Sequence, residues 1–67
     1  MKSFKYIVKA FVFDKDNELY TCDYSGVIHD TRESAEKELF EAKVHECDNE
    51  TLFDLQIHKI EFITIKR

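Results

Sequence analysis

Phe13-Asp14-Lys15-Asp16-Asn17-Glu18-Leu19 is the stretch on which the fold depends, because it joins two runs that read as strands. Before it, Phe4-Lys5-Tyr6-Ile7-Val8-Lys9-Ala10-Phe11-Val12-Phe13 is rich in aromatic and β-branched residues and holds no breaker. After it, a second strand runs from Glu18 or Leu19 to about Ile28. Side chains alternate along a strand, so the length of the loop decides the face of every residue. A loop of two or four residues sets Phe13 opposite Glu18 and Lys9 opposite Cys22, and moves Asp23 onto the face of Val8. A three-residue loop with Asn17 left-handed sets Phe13 opposite Leu19 and Val8 opposite Tyr24. Asn is one of the few non-Gly residues that tolerate this conformation. The same register pairs Lys9 with Asp23, a favourable opposite-charge pair. It gathers Phe4, Tyr6, Val8, Ala10, Val12, Tyr20, Cys22, Tyr24 and Ile28 on one face. The three-residue loop is therefore the predicted turn.

Beyond the hairpin, Asp30-Thr31-Arg32-Glu33 reads as a helix start. Asp30 is the predicted N-cap, with Glu33 three residues on as in a capping box; Thr31 with Ser34 is the alternative. The run from Glu33 to Val44 is made mostly of good helix formers. Ala35, Leu39 and Ala42 form one apolar seam, and Phe40, Val44 and Cys47 a second about 100° further round. One seam suffices for a flat contact. The second predicts a broad buried face or, as the sharper reading, contact with another subunit.

After Cys47-Asp48-Asn49 the chain reads as extended again. Phe53, Leu55 and Ile57 alternate, the apolar phase slips at His58-Lys59, Ile60 and Phe62 follow the new phase, and Ile63 and Ile65 return to the old. The slip predicts a β-bulge near His58, or an irregular lead-in to a strand over 59–66. A right-handed crossover through the helix can bring that strand beside the first. The expected fold is a single α+β domain over 1–67, β-β-α-β, with a three-stranded antiparallel sheet of order 2-1-3 and the helix on one face.

Ile7, Phe11, Phe13 and Leu19 fall on the other face, which one helix cannot also cover. Exposed apolar clusters of this kind mark protein interfaces. With Phe40 and Val44 of the second helix seam, they form the candidate interface. The expected partner is a protein or a second copy of the chain. A homodimer through the sheet face is favoured, since 67 residues lie near the lower limit for folding on one core.

Composition bounds the remaining classes. With 43% hydrophobic residues, six Phe and three Tyr, disorder is not expected; 36% charged residues supply the outer surface. No run approaches the roughly 20 apolar residues that span a bilayer. Met1-Lys2-Ser3-Phe4-Lys5-Tyr6 lacks the apolar core of a secretory signal, and two cysteines make no disulfide framework, so a cytoplasmic location without membrane contact is expected. Residues 30–54 hold nine acidic against three basic residues, while the rest holds five against seven. Direct nucleic-acid binding, which needs clustered Lys and Arg, is not expected.

Chemical sites are few. Asp14-Lys15-Asp16-Asn17-Glu18 opens like a calcium loop, but Leu19 stands where that loop needs Gly and no Glu holds the twelfth position. Cys22, His29, His45, Cys47 and His58 have zinc-binding chemistry without zinc spacing, so no metal or other cofactor is expected, and both cysteines read as small hydrophobes. His29-Asp30 near Cys22 is the nearest approach to a nucleophile constellation, and Asp30 already has a capping role. No nucleophile-elbow, phosphate-loop or metalloprotease pattern occurs, and a non-enzyme is expected.

The hairpin with Ser25-Gly26-Val27-Ile28-His29-Asp30-Thr31-Arg32-Glu33-Ser34-Ala35-Glu36 resembles very small proteins carried by phages and prophages of Gram-positive bacteria. The resemblance spans roughly residues 18–46 and implies an accessory protein that binds a host protein. It assigns no functional residue.

Overall fold

The computed structural model describes residues 2–63, with the side chain of Lys2 left aside. The chain forms β1 (Lys2–Phe13), β2 (Leu19–His29), α1 (Arg32–His45) and β3 (Leu52–Ile63). The strands make one antiparallel sheet of order β2-β1-β3, the predicted α+β arrangement.

The predicted turn is present. Asn17 is left-handed at φ 60°, the Asp14 N–H donates to the Glu18 carbonyl at 2.9 Å, and the Asn17 N–H donates to the Asp14 carbonyl at 3.0 Å. The Asp14 carboxylate accepts from the N–H groups of Asp16 and Glu18, which fastens the loop to its own side chain. Phe13 faces Leu19, and the register holds as far as Lys9 opposite Asp23.

Beyond Asp23 the expected pairing fails. Ile7 pairs with Ile28 and Tyr6 with His29, so Tyr24, Ser25, Gly26 and Val27 bulge out opposite Val8 alone. Gly26, at φ +78°, supplies the backbone conformation that lets the strand make this detour. The bulge changes faces: Ile28 joins Ile7 on the open side instead of the helix side, and His29 turns toward the helix.

The helix begins one residue later than the preferred reading. Thr31 is the N-cap, its hydroxyl accepting from the Ser34 N–H at 3.1 Å, and Asp30 pairs instead with Lys5 of β1. Ala35 and Ala42 of the first seam are buried, and Leu39 packs beside them. The second seam is not a buried face: Phe40 is 70% and Val44 61% exposed. Cys47 lies past the helix C-cap at Glu46 and is exposed, as is Cys22, so neither acts as a core hydrophobe. The helix lies over β1 and β3 more than β2, which leaves Tyr20 and Cys22 open on the helix side.

β3 corrects the last expectation. It starts at Leu52 and runs without a break in register from Asp54 to Ile63; the irregularity lies at Phe53, not His58. The phase slip at His58-Lys59 is real in sequence but involves no bulge. Leu55 and Ile57 face the helix, whereas Ile60 and Phe62 share the open face with Lys5 and Ser3. The apolar side of the strand simply changes where the helix stops covering it. Ile65 and the end of the predicted strand at 66 lie outside the described residues.

The core is small: Val8, Ala10, Ala42 and Leu55, with Val12, Tyr24, Leu39 and Leu52 packed around them. The molecule measures 47 × 26 × 12 Å, with a radius of gyration of 14.2 Å against about 11 Å for a compact domain of this length. Twelve-residue strands span roughly 40 Å and the fourteen-residue helix only about 21 Å. β2 ends opposite Tyr6, so Lys2–Lys5 and Ile60–Ile63 continue as a two-stranded ribbon.

Candidate functional site

The sheet face away from the helix is the surface on which the candidate residues converge. Alternation puts Lys5, Ile7, Lys9, Phe11 and Phe13 of β1 there, and pairing adds Leu19, Thr21, Asp23 and Ile28 from β2. From β3 come Asp54, Gln56, His58, Ile60 and Phe62. Two aromatic contacts cross the β1–β3 seam. Phe13 and Phe53 meet edge to face at 5.6 Å, and Phe11 and His58 are tilted with centroids 6.0 Å apart. Phe53 was not anticipated on this face; it arrives there through the irregularity opposite Phe11 and Val12.

The six interface candidates divide. Ile7, Phe11, Phe13 and Leu19 share the open face, while Phe40 and Val44 stand on the helix. Ile7 is itself buried between Ile28 and His58 and retains 5% of its surface, so it supports the face rather than presenting itself. Leu19, Ile28, Phe53 and Phe62 are exposed, between 42% and 62%.

The electrostatics of the face are self-contained. Lys9 pairs with Asp23 across β1 and β2, and Lys5 pairs with Asp30. The Lys5 ammonium beside Asp30 holds its carboxyl below the usual carboxylate range. Gln56, and then the Leu55 N–H, do the same for Asp54. Each lysine on the face therefore has an acid of its own, which leaves little net charge to attract an ionic ligand.

A polar cluster on the helix side joins the bulge to α1. The His29 ring places Nδ1 2.7 Å from Ser34 Oγ and Nε2 2.8 Å from Glu38 Oε1, and the Ser25 hydroxyl donates to the other oxygen of Glu38. Serine, histidine and carboxylate in series are the parts of a nucleophile relay. Here Ser34 lies in the capped first turn and Glu38 is shared with Ser25, so the chain of bonds ties β2 to the helix. Sequence reasoning linked His29 to Asp30 and missed Ser34 and Glu38. The lone Gly26 inside a strand was the available sign that His29 would change face.

At the other end of the helix, Tyr24 donates to Glu46 at 3.2 Å. Burial and then this bond raise the phenol pKa, and the Asn49 amide lowers that of Glu46. Tyr24, Glu38, Glu41, Ala42 and His45 line an open hollow of about 300 Å³. Among the described residues no three His, Cys, Asp or Glu side chains gather as a metal site. Among the described residues no helix is long and apolar enough to cross a membrane. No family model, curated protein or solved structure matches the chain.

Proposed function

We propose that this chain is a non-catalytic protein-interaction module whose open sheet face docks an apolar, weakly charged surface of a protein partner. One observation carries the reading: no element among the described residues covers this face, yet it bears Phe11, Phe13, Leu19, Ile28, Phe53, Ile60 and Phe62, with its lysines already neutralised. Two strands of this length and a shorter β2 present roughly 500 Å², so docking buries about 1,000 Å² in total, at the low end for a specific interface. Reversible binding is the matching expectation. The exposed thiols of Cys22 and Cys47 suit a reducing, cytoplasmic setting, and the resemblance to phage-carried proteins favours a host protein as partner.

The test compares Phe11→Lys with Phe40→Lys, both attached to a resin and challenged with host lysate. One stoichiometric partner should stay on the parent and on Phe40→Lys and be lost from Phe11→Lys. Equal retention by both variants would move the docking surface off the sheet, and no retained partner would reject the reading.

A further inference from the structure

The two edges of the sheet differ. β2 is blunted by the four-residue bulge at Tyr24–Val27, a common protection against edge-to-edge pairing. Among the described residues β3 has only the single irregularity at Phe53, near its start. From Asp54 to Ile63 it runs in unbroken register with β1, and among the described residues no strand lies along its outer side. It also contains neither Pro nor Gly.

The sequence of this edge is self-complementary. An antiparallel pair of identical strands related by a twofold axis perpendicular to the sheet brings together only residues of one face. The axis must then lie between the two strands, midway between one residue and its own copy. Centred on Ile60, the stretch Ile57-His58-Lys59-Ile60-Glu61-Phe62-Ile63 sets Ile60 against Ile60, Lys59 against Glu61, His58 against Phe62 and Ile57 against Ile63. Both Lys59–Glu61 pairs are opposite in charge and the remainder are apolar or aromatic. Centring on Lys59 or Glu61 sets like charges against each other, and centring on His58 or Ile57 sets charges against apolar residues.

The position of this stretch is the third observation. Ile60–Ile63 lies in the ribbon beyond the end of β2, where the sheet is two strands wide. Two-stranded ribbons are marginal by themselves in water. Phe4, Phe62 and Ile63 are all exposed there.

We propose that β3 pairs with β3 of a second copy of this chain, in antiparallel register centred on Ile60. The ribbon becomes a four-stranded centre, and the two sheets become one of six strands. The axis keeps both helices on one side, so the two open faces join into a surface twice as wide as that of one chain. The pairing does not depend on the docking proposed above: it is made by the outward backbone groups of β3 and by Lys59 and Glu61, which lie on the helix side, although Ile60 and Phe62 belong to both the edge and the open face.

Sedimentation equilibrium at low salt should find twice the 8.0 kDa of one chain. Lys59→Glu sets acid against acid at both pairs, and Glu61→Lys sets base against base. Each should raise the dissociation constant about tenfold or more. The double exchange, and an equimolar mixture of the two single variants, should restore the dimer. Because both positions are exposed, circular dichroism should show the fold intact. Residues directly opposite have Cα atoms about 4.5–5.5 Å apart, within disulfide range. Ile60→Cys combined with Cys22→Ser and Cys47→Ser should therefore oxidise to a covalent dimer. A monomer at high micromolar concentration, no rescue by the exchange or the mixture, or a dimer dissolved by Phe11→Lys and untouched by the charge variants would overturn the pairing.

Discussion

Asn17 is the residue on which the register of β1 and β2 rests. Its φ of 60° is one that Gly adopts without penalty and a β-branched residue does not. Asn17→Gly should be neutral or stabilising in thermal melts, and Asn17→Val should lose about 1 kcal/mol or more. Equal tolerance of both would be inconsistent with the left-handed turn. Thr31 and Asp30 form a second pair of neighbours with separable roles. Thr31 caps the helix through the Ser34 N–H, whereas Asp30 makes an exposed ion pair with Lys5. Thr31→Ala should lower stability by about 0.5–2 kcal/mol. Asp30→Ala should have the smaller effect, since exposed ion pairs contribute little. A larger effect at Asp30, measured by urea unfolding, would return the cap to that residue.

At the level of elements, the helix is held by one seam. Ala35 and Ala42 let its backbone approach β1 and β3 closely, and Leu55 fills the space beneath. The outer side of the helix contributes nothing to this contact, because Phe40 and Val44 are largely exposed. Leu55→Ala should therefore cost about 2–5 kcal/mol, enough to unfold a domain with so small a core. Phe40→Lys should leave the melting temperature nearly unchanged. Loss of the fold in Phe40→Lys by circular dichroism would mean that the second seam is buried after all. The bonds of His29 to Ser34 and Glu38 add a second attachment between β2 and α1, independent of the apolar seam.

For the molecule as a whole, pH sets the limits of stability through a few groups. Asp30, Glu46 and Asp54 have carboxyls held below their ordinary values by Lys5, Asn49 and Gln56 respectively. A lowered folded-state pKa favours the native state above the unfolded value, and that contribution is lost as pH falls through the folded one. Tyr24 works in the opposite sense. Its raised pKa contributes below the ordinary tyrosine value and is lost as pH rises through the folded one. Thermal melts should give a plateau from about pH 5 to 9, with an acid limb below pH 4 and an alkaline limb above pH 10. Tyr24→Phe should shrink the alkaline limb. A melting temperature that still rises below pH 4 would contradict the carboxyl assignments.

Local chemistry in the sequence determined the turn at Asn17, the alternation of β1, the pairing of Lys9 with Asp23 and the seam of Ala35, Leu39 and Ala42, to which the right-handed crossover rule added the β2-β1-β3 order. Each of these local features depends on neighbours within one strand, one turn or one helix, where steric and periodic rules act without knowledge of the rest. The gathering of Phe11, Phe13 and Leu19 on one face follows from the same alternation. Tertiary structure decided what depends on distant contacts. Thr31 is the cap, while Asp30, its neighbour, is turned to Lys5, far away in the chain. His29 turned to the helix because the bulge at Gly26 offsets β2 against β1. The phase slip in β3 meant a change of covered face rather than a bulge, because the helix is about half as long as the strands beneath it. A periodic pattern shows that a residue is apolar and which neighbours share its side; only the finite reach of the element packed against it decides whether that side is covered.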